Sequence, residues 1–147
     1  MNYKMKTKVY FNLLLSFVVI SVTILSSCKS SFPAAGSTVE CNGQLLTPVL
    51  NPTKRAEFPK GKQAMFEFFK ANFKLPQEAI NNKTKGKVRV AFIVTKEGEI
   101  CDVRITSKPK KYLDNEVIRV IKIMPKWIPG INEGKIINCY YLLDIKF

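Results

Sequence analysis

The stretch from Lys87 to Thr95 limits the fold most narrowly. Val88, Val90, Phe92 and Val94 alternate with Arg89, Ala91 and Ile93, and a period of two sorts side chains into faces only in an extended strand. One face is wholly apolar and the other half apolar, so the strand is buried on one side and partly covered on the other. Lys96-Glu97-Gly98-Glu99 supplies a turn, with Gly98 free to take positive φ. A second alternating run, Ile100 to Ser107, sets Cys101, Val103 and Ile105 inward and Asp102, Arg104 and Thr106 towards water. Together the two runs predict a hairpin.

Helical spacing flanks it on both sides. Met65, Phe66, Phe68, Phe69 and Phe73 recur on one stripe between Lys62 and Phe73, after a Phe58-Pro59-Lys60-Gly61 turn; large apolar groups so arranged read as core packing. Leu75-Pro76 stops this helix, and Gln77 to Asn81 forms one further turn. Leu113-Asp114-Asn115-Glu116 opens a second main helix with acids in its first turn, and Leu113, Val117, Val120, Ile121 and Met124 form its stripe before Pro125 ends it. Trp127-Ile128-Pro129-Gly130 and Asn132-Glu133-Gly134-Lys135 read as a loop pinned by the tryptophan. A final strand, Ile136 to Phe147, places Ile137, Cys139, Tyr141, Leu143, Ile145 and Phe147 on one face. Upstream, Asn42-Gly43 between Val39 and Leu45-Leu46 predicts a small hairpin before Pro48 and Pro52.

Helix, strand, strand, helix, strand builds a two-layer α+β domain, with both main helices on one face of a three-stranded sheet. The sheet is all antiparallel only if the first strand lies between the other two, giving the order 2-1-3. That choice puts the most apolar strand in the middle and leaves the last strand as an edge, with a row of unpaired N–H and C=O groups.

The amino-terminal 27 residues carry Lys4, Lys6 and Lys8 and no acid, then an apolar run from Val9 to Leu25, then Ser26-Ser27 before Cys28. This is the order of a signal peptide, and Leu25-Ser26-Ser27-Cys28 resembles the lipobox of bacterial lipoproteins. Cleavage before Cys28 and lipidation of its thiol are expected, since two or more acyl chains make a lasting anchor. An uncleaved signal anchor is the rival, weakened by Asn12, Ser16, Ser21 and Thr23. The expected organisation is a leader over 1–27, a tethered linker with a small hairpin over 28–55, and one domain over 56–147.

Three of the 24 basic residues lie in the leader, so against 11 acids the mature chain carries about +10. Export removes nucleic acid as a partner, and most of the charge is Lys rather than Arg, which reads as a solvated surface attracted to anionic headgroups or an acidic partner. Lipidation of Cys28 leaves Cys41, Cys101 and Cys139, enough for one bridge. Either Cys101 and Cys139 are buried free thiols, or Cys41 bridges to one of them. With no His and no CxxC, neither a metal nor another cofactor is expected. No paired carboxylate, no nucleophile with a base and no phosphate-cradling glycine loop stands out, so the chain does not read as an enzyme.

Glu57-Phe58-Pro59 with Gly61, Leu75-Pro76 with Ala79, Gly86-Lys87-Val88, Gly98, Leu113-Asp114, Met124-Pro125-Lys126-Trp127-Ile128-Pro129-Gly130 and the ending Tyr141 to Phe147 resemble, in order and spacing, the TonB C-terminal domain family in the version common among Bacteroidetes. The resemblance covers about residues 56 to 147 and implies a TonB/TolA C-terminal-like fold. In that family the domain binds the TonB box of outer-membrane transporters, which adds as a strand beside the last strand. By analogy, the partner strip here is Ile137, Asn138, Cys139, Tyr140, Tyr141 and Leu142, acting mainly through its backbone. The chain departs from an energy-transducing TonB in lacking a leader His and a Pro-rich spacer. The reading is therefore a lipid-anchored accessory, facing the periplasm from a membrane the sequence does not identify, that docks a segment of a TonB-dependent receptor. The rivals are a true transducer with an uncleaved anchor, and a structural lipoprotein that forms a homodimer through paired edges; a further alternative is that residues 38 to 50 of the chain itself cover the edge of the last strand.

Overall fold

A computed structural model describes residues 36–83, 85–107 and 111–147. Cys28 and the leader lie outside the described residues. In chain order the elements are β1 (Val39–Cys41), β2 (Gln44–Leu46), α1 (Gly61–Asn72), α2 (Gln77–Asn81), β3 (Lys87–Val94), β4 (Ile100–Ile105), α3 (Lys111–Lys122), β5 (Gly130–Asn132), β6 (Lys135–Ile137) and β7 (Cys139–Lys146).

The main sheet runs β4-β3-β7, antiparallel throughout, which is the expected 2-1-3 order. β3 takes the centre because it alone is apolar enough for it: Val88, Val90, Phe92 and Val94 are buried under the helices, and Ala91 and Ile93 are buried too. α3 lies on the same core through Leu113, Val117 and Ile121, with Met124 just past its end. Asp114 stands in its first turn and Arg119 and Lys122 in its last, each where the helix dipole favours that sign. Trp127 fills the space between the layers, its ring edge-on to Phe92 at 5.4 Å and to Tyr141 at 4.7 Å. Its main chain closes on the β3–β4 turn, Trp127 N–H donating to the Gly98 carbonyl at 2.8 Å. Gly98 has φ of +79°, and a Cβ there would fall 2.1 Å from the Trp127 carbonyl oxygen, so both conformation and space demand glycine.

Four local expectations need correction. In β4, Asp102 adopts φ of +50° and the register with β3 shifts between Ala91 and Ile93. The extra residue is a bulge, and it turns Cys101 to the outer face opposite Ile93, while Val103 and Ile105 stay on the helix side with Ile100. Asn132-Glu133-Gly134-Lys135 is not open loop but the turn of a third hairpin, with Glu133 at +51° and Gly134 at +76° and Gly130 paired to Ile137. The final strand is interrupted at Asn138, whose side-chain oxygen accepts the Lys96 N–H at 2.8 Å. Finally, α1 buries none of its residues fully, and Phe66 is 63% exposed. The helix sits at the margin of the sheet, where its apolar stripe is wider than the edge strand beneath can cover.

The Asn42-Gly43 hairpin is present, both residues with positive φ as a two-residue hairpin turn requires. It lies on the outer face of the sheet, where Val39 and Cys41 pack with Ile93, Cys101 and Tyr140. Cys41 is bridged to Cys101, Cα atoms 5.8 Å apart. Cys139 is a free, buried thiol whose pKa burial raises, which keeps it protonated and unreactive.

Candidate functional site

β7 is the last strand on its side of the main sheet. Phe147 and Gly86 exchange both main-chain hydrogen bonds, at 2.9 and 3.2 Å. In an antiparallel ladder such pairs recur at every second residue, so Cys139, Tyr141, Leu143 and Ile145 also turn their main chain towards β3. The main-chain groups of Tyr140, Leu142, Asp144 and Lys146 therefore point away from the sheet.

The first rung of that outer row is taken. Val49 N–H donates to the Asn138 carbonyl at 2.9 Å, and Tyr140 N–H donates to the Val49 carbonyl at 3.0 Å. Val49 belongs to a strap that continues along the neighbouring chain, with Lys54 bridged to Ile131 and Glu57 to Ile128. Beyond Val49, the outward main-chain groups of Leu142, Asp144 and Lys146 meet no main-chain partner among the described residues. Such a row accepts another strand.

The two faces flanking the row differ. On the helix side, Leu143, Ile145 and Phe147 meet Met65, Phe66, Phe69, Phe73 and Leu75 around a groove of about 590 Å³. Phe73 and Phe147 have ring centroids 5.0 Å apart and form its floor. The end of α1 is held there from α3: Arg119 donates to the Asn72 carbonyl, and Glu116 accepts the Lys74 N–H. The hydrogen bond from Arg119 holds the Glu116 carboxyl below its usual range. On the opposite face, Asp144 accepts two hydrogen bonds from Arg89, at 2.7 and 3.1 Å, and one from Lys87 at 3.1 Å. These bonds, that from Arg89 first, depress its pKa to about 2. Arg89 and Asp144 are directly opposed across the two strands, where an opposite-charge pair supports the register.

The strip expected at Ile137 to Leu142 is thus only partly an open edge. Ile137 lies in β6, paired to Gly130 and turned to the core. The Asn138 carbonyl and the Tyr140 N–H are engaged by Val49. Cys139 and Tyr141 address β3, and the Tyr141 ring packs tilted against Phe92 and edge-on to Trp127. Of the six, Leu142 alone has an outward main chain with no main-chain partner among the described residues, its side chain 49% exposed. The open stretch runs on to Asp144 and Lys146. The alternative that residues 38 to 50 cover the edge is thus met in part, by Val49; sequence could not single that residue out, because one residue flanked by Pro48 and Leu50 carries no period and two main-chain bonds leave no mark on side-chain pattern. Among the described residues, no three His, Cys, Asp or Glu side chains stand together where they could hold a metal ion.

The C-terminal model of the Gram-negative bacterial TonB protein matches residues 71–147. This chain belongs to the TonB C-terminal domain family. Among solved structures it is similar to the TonB C-terminal domain of Pseudomonas aeruginosa, with 25% identity and a TM-score of 0.41 over 51% of this chain and 76% of that one. It is also similar to the TonB C-terminal domain of Helicobacter pylori, with 16% identity and a TM-score of 0.44 over 58% and 89%. No curated protein matches. TonB C-terminal domains are non-enzymatic protein-interaction domains of the periplasm and envelope that meet outer-membrane receptors. Membership of the family supports a TonB-like role in transport. No helix among the described residues is long and apolar enough to cross a membrane.

Proposed function

We propose that this protein is a lipid-anchored component of the cell envelope that receives an extended segment of a TonB-dependent outer-membrane receptor as an added strand beside β7. The anchor is Cys28, after removal of residues 1–27, and the domain from about residue 56 faces the periplasm. Strand addition draws affinity from main-chain hydrogen bonds, and side chains at alternate positions add selectivity. The observation that carries the reading is the outward row of main-chain groups at Leu142, Asp144 and Lys146, partnerless among the described residues on the last strand of the sheet. Compared with the strip expected by analogy, the proposed contact moves down the strand, because Val49 already spans Asn138 and Tyr140.

A photoreactive amino acid placed at Leu142 tests the reading in living cells. The expected product is an adduct with the periplasmic segment of an outer-membrane receptor. An adduct with a second copy of the chain supports edge-to-edge self-association instead, and an adduct with an inner-membrane motor protein restores the transducer. Replacing Cys28 by Ala is expected to abolish incorporation of a labelled fatty acid; unchanged labelling rejects the anchor.

A further inference from the structure

We infer that the groove between α1 and β7 is a side-chain selector, taking two large apolar residues at alternate positions of an incoming strand and an acidic residue beside them. The inference rests on the strand-addition reading and adds to it which strands are chosen.

A strand that pairs with the outward row must share its pleat. Its residues level with Leu143 and Ile145 project to the same face as those side chains, because directly opposed residues of neighbouring strands lie on one face. That face is the groove. Met65, Phe66, Phe69, Phe73 and Leu75 wall it, and its volume of about 590 Å³ falls among pockets that bury drug-sized ligands, roughly 300–1,000 Å³. Phe66 is 63% exposed and Leu75 47%; exposed apolar surface next to an unpaired strand edge marks a place where something binds. A small or polar side chain in either position leaves those rings wet.

Charge sets the third preference. Lys70 borders the groove, while Asp144 and Lys146, which also line it, alternate with Leu143, Ile145 and Phe147 and turn their side chains to the other face. Asp144 is already engaged by Arg89 and Lys87, whereas Lys70 makes no ion pair among the described residues. The site therefore presents the unmatched positive charge of Lys70 and favours a carboxylate next to the apolar pair. The residue between the two apolar ones projects to the other face, beside Asp144, whose charge Arg89 and Lys87 already match, so no charge is selected there. The partner chemistry is an acid followed by two apolar residues at alternate positions in extended form.

The full chain, purified in detergent, is titrated with a synthetic heptapeptide Ser-Asp-Leu-Thr-Leu-Ser-Ser and with a counterpart carrying Ser at both Leu positions. Affinity is read by fluorescence anisotropy, and amide hydrogen exchange is read along β7. The Leu peptide is expected to bind about tenfold more tightly, the scale set by burying two apolar side chains in part. Phe66→Ser is expected to remove that advantage, while both peptides still slow exchange at Leu142 and Asp144; Phe66 is exposed, so the variant keeps its fold. Lys70→Gln lowers the preference for Asp over Asn by roughly twofold to threefold, the scale of an exposed ion pair. Protection of Leu142 and Asp144 by both peptides, with no preference or with one that Phe66→Ser leaves intact, overturns the selector and leaves strand addition standing. No protection by either peptide, or a dimer whose edge amides are slow without peptide, overturns both.

Discussion

The two halves of β7 share one alternation and one neighbour, yet they are held very differently. From Cys139 to Tyr141 the strand is closed on every side: Val49 takes the outer rung, the bridged β1–β2 hairpin covers the outer face at Tyr140 and Ile93, and Trp127 with Phe92 packs the inner face. Gly130 completes the closure, a Cβ there falling 2.6 Å from the Cys139 sulfur. From Leu142 to Lys146 the strand has β3 on one side, a partly covering helix above and, among the described residues, an open margin. Edge strands invite unwanted pairing, and proteins blunt them where they are not used. Here the same chain blunts half an edge with its own strap and, among the described residues, leaves the other half bare; on the proposed reading, stability lies in the first half and binding in the second.

The largest expected effect contrasts two phenylalanines. Phe92→Ala, opposite Tyr141 in the closed half, is expected to cost about 3–5 kcal/mol, the range for truncating a buried aromatic. Phe66→Ala, at the mouth of the groove, is expected to change stability by no more than about 0.5 kcal/mol. Denaturant unfolding measures both, and similar losses erase the distinction between the halves.

Next comes the bridge from Cys41 to Cys101. Replacing both by Ser removes a link across 60 residues of sequence and is expected to cost about 2–4 kcal/mol, mainly by freeing the unfolded chain. The sharper readout is the Tyr140 amide, whose exchange is expected to quicken as the hairpin and strap loosen. Unchanged Tyr140 exchange shows that the strap holds without the bridge.

A smaller loss follows from Val49→Pro, which removes the N–H donated to Asn138. About 1 kcal/mol is expected, the net worth of one hydrogen bond. The same variant tests the boundary between the halves: a bound partner strand is expected to extend its protection upstream to Tyr140. A footprint that stops at Leu142 in both proteins means something other than Val49 sets the limit.

The smallest effect is electrostatic. The Asp144 pKa lies at about 2, below its ordinary 3.8, because Arg89 and Lys87 bond its charged form. A depressed carboxyl contributes stability above its unfolded pKa and loses it as pH falls through the folded value. The stability of the native protein should therefore carry a shallow slope between about pH 4 and pH 2 that Asp144→Asn flattens. Asp144 is exposed, so solvent screening keeps the change small.

Much of this architecture was legible in the residues. The alternation around Phe92, the α3 stripe from Leu113 to Met124 and the Asn42-Gly43 turn each express one physical rule that nothing nearby opposes. The order of the main sheet followed from chain direction and from which strand is apolar on both faces. The bulge was not legible, since Asp102 in a left-handed conformation breaks the period of two without changing a letter of it. The choice of cysteine partner depended on that bulge, because only the turned Cys101 faces Cys41. The β5–β6 hairpin hid in strands of three residues around Glu133-Gly134, a pair that signals a hairpin turn less plainly than Asn-Gly. For the site, the edge itself could be derived, but its open length could not, because Val49 closes part of it through backbone alone.

Amide hydrogen exchange along β7, with and without the periplasmic segment of a receptor, bears most directly on the central claim. In the free protein the Leu142, Asp144 and Lys146 amides should exchange quickly while Leu143 and Ile145 stay slow, and the segment should slow the first three and leave the other two as they were. Slow exchange at all five in the free monomer, or protection that appears away from β7, would contradict an open edge that receives a partner's backbone.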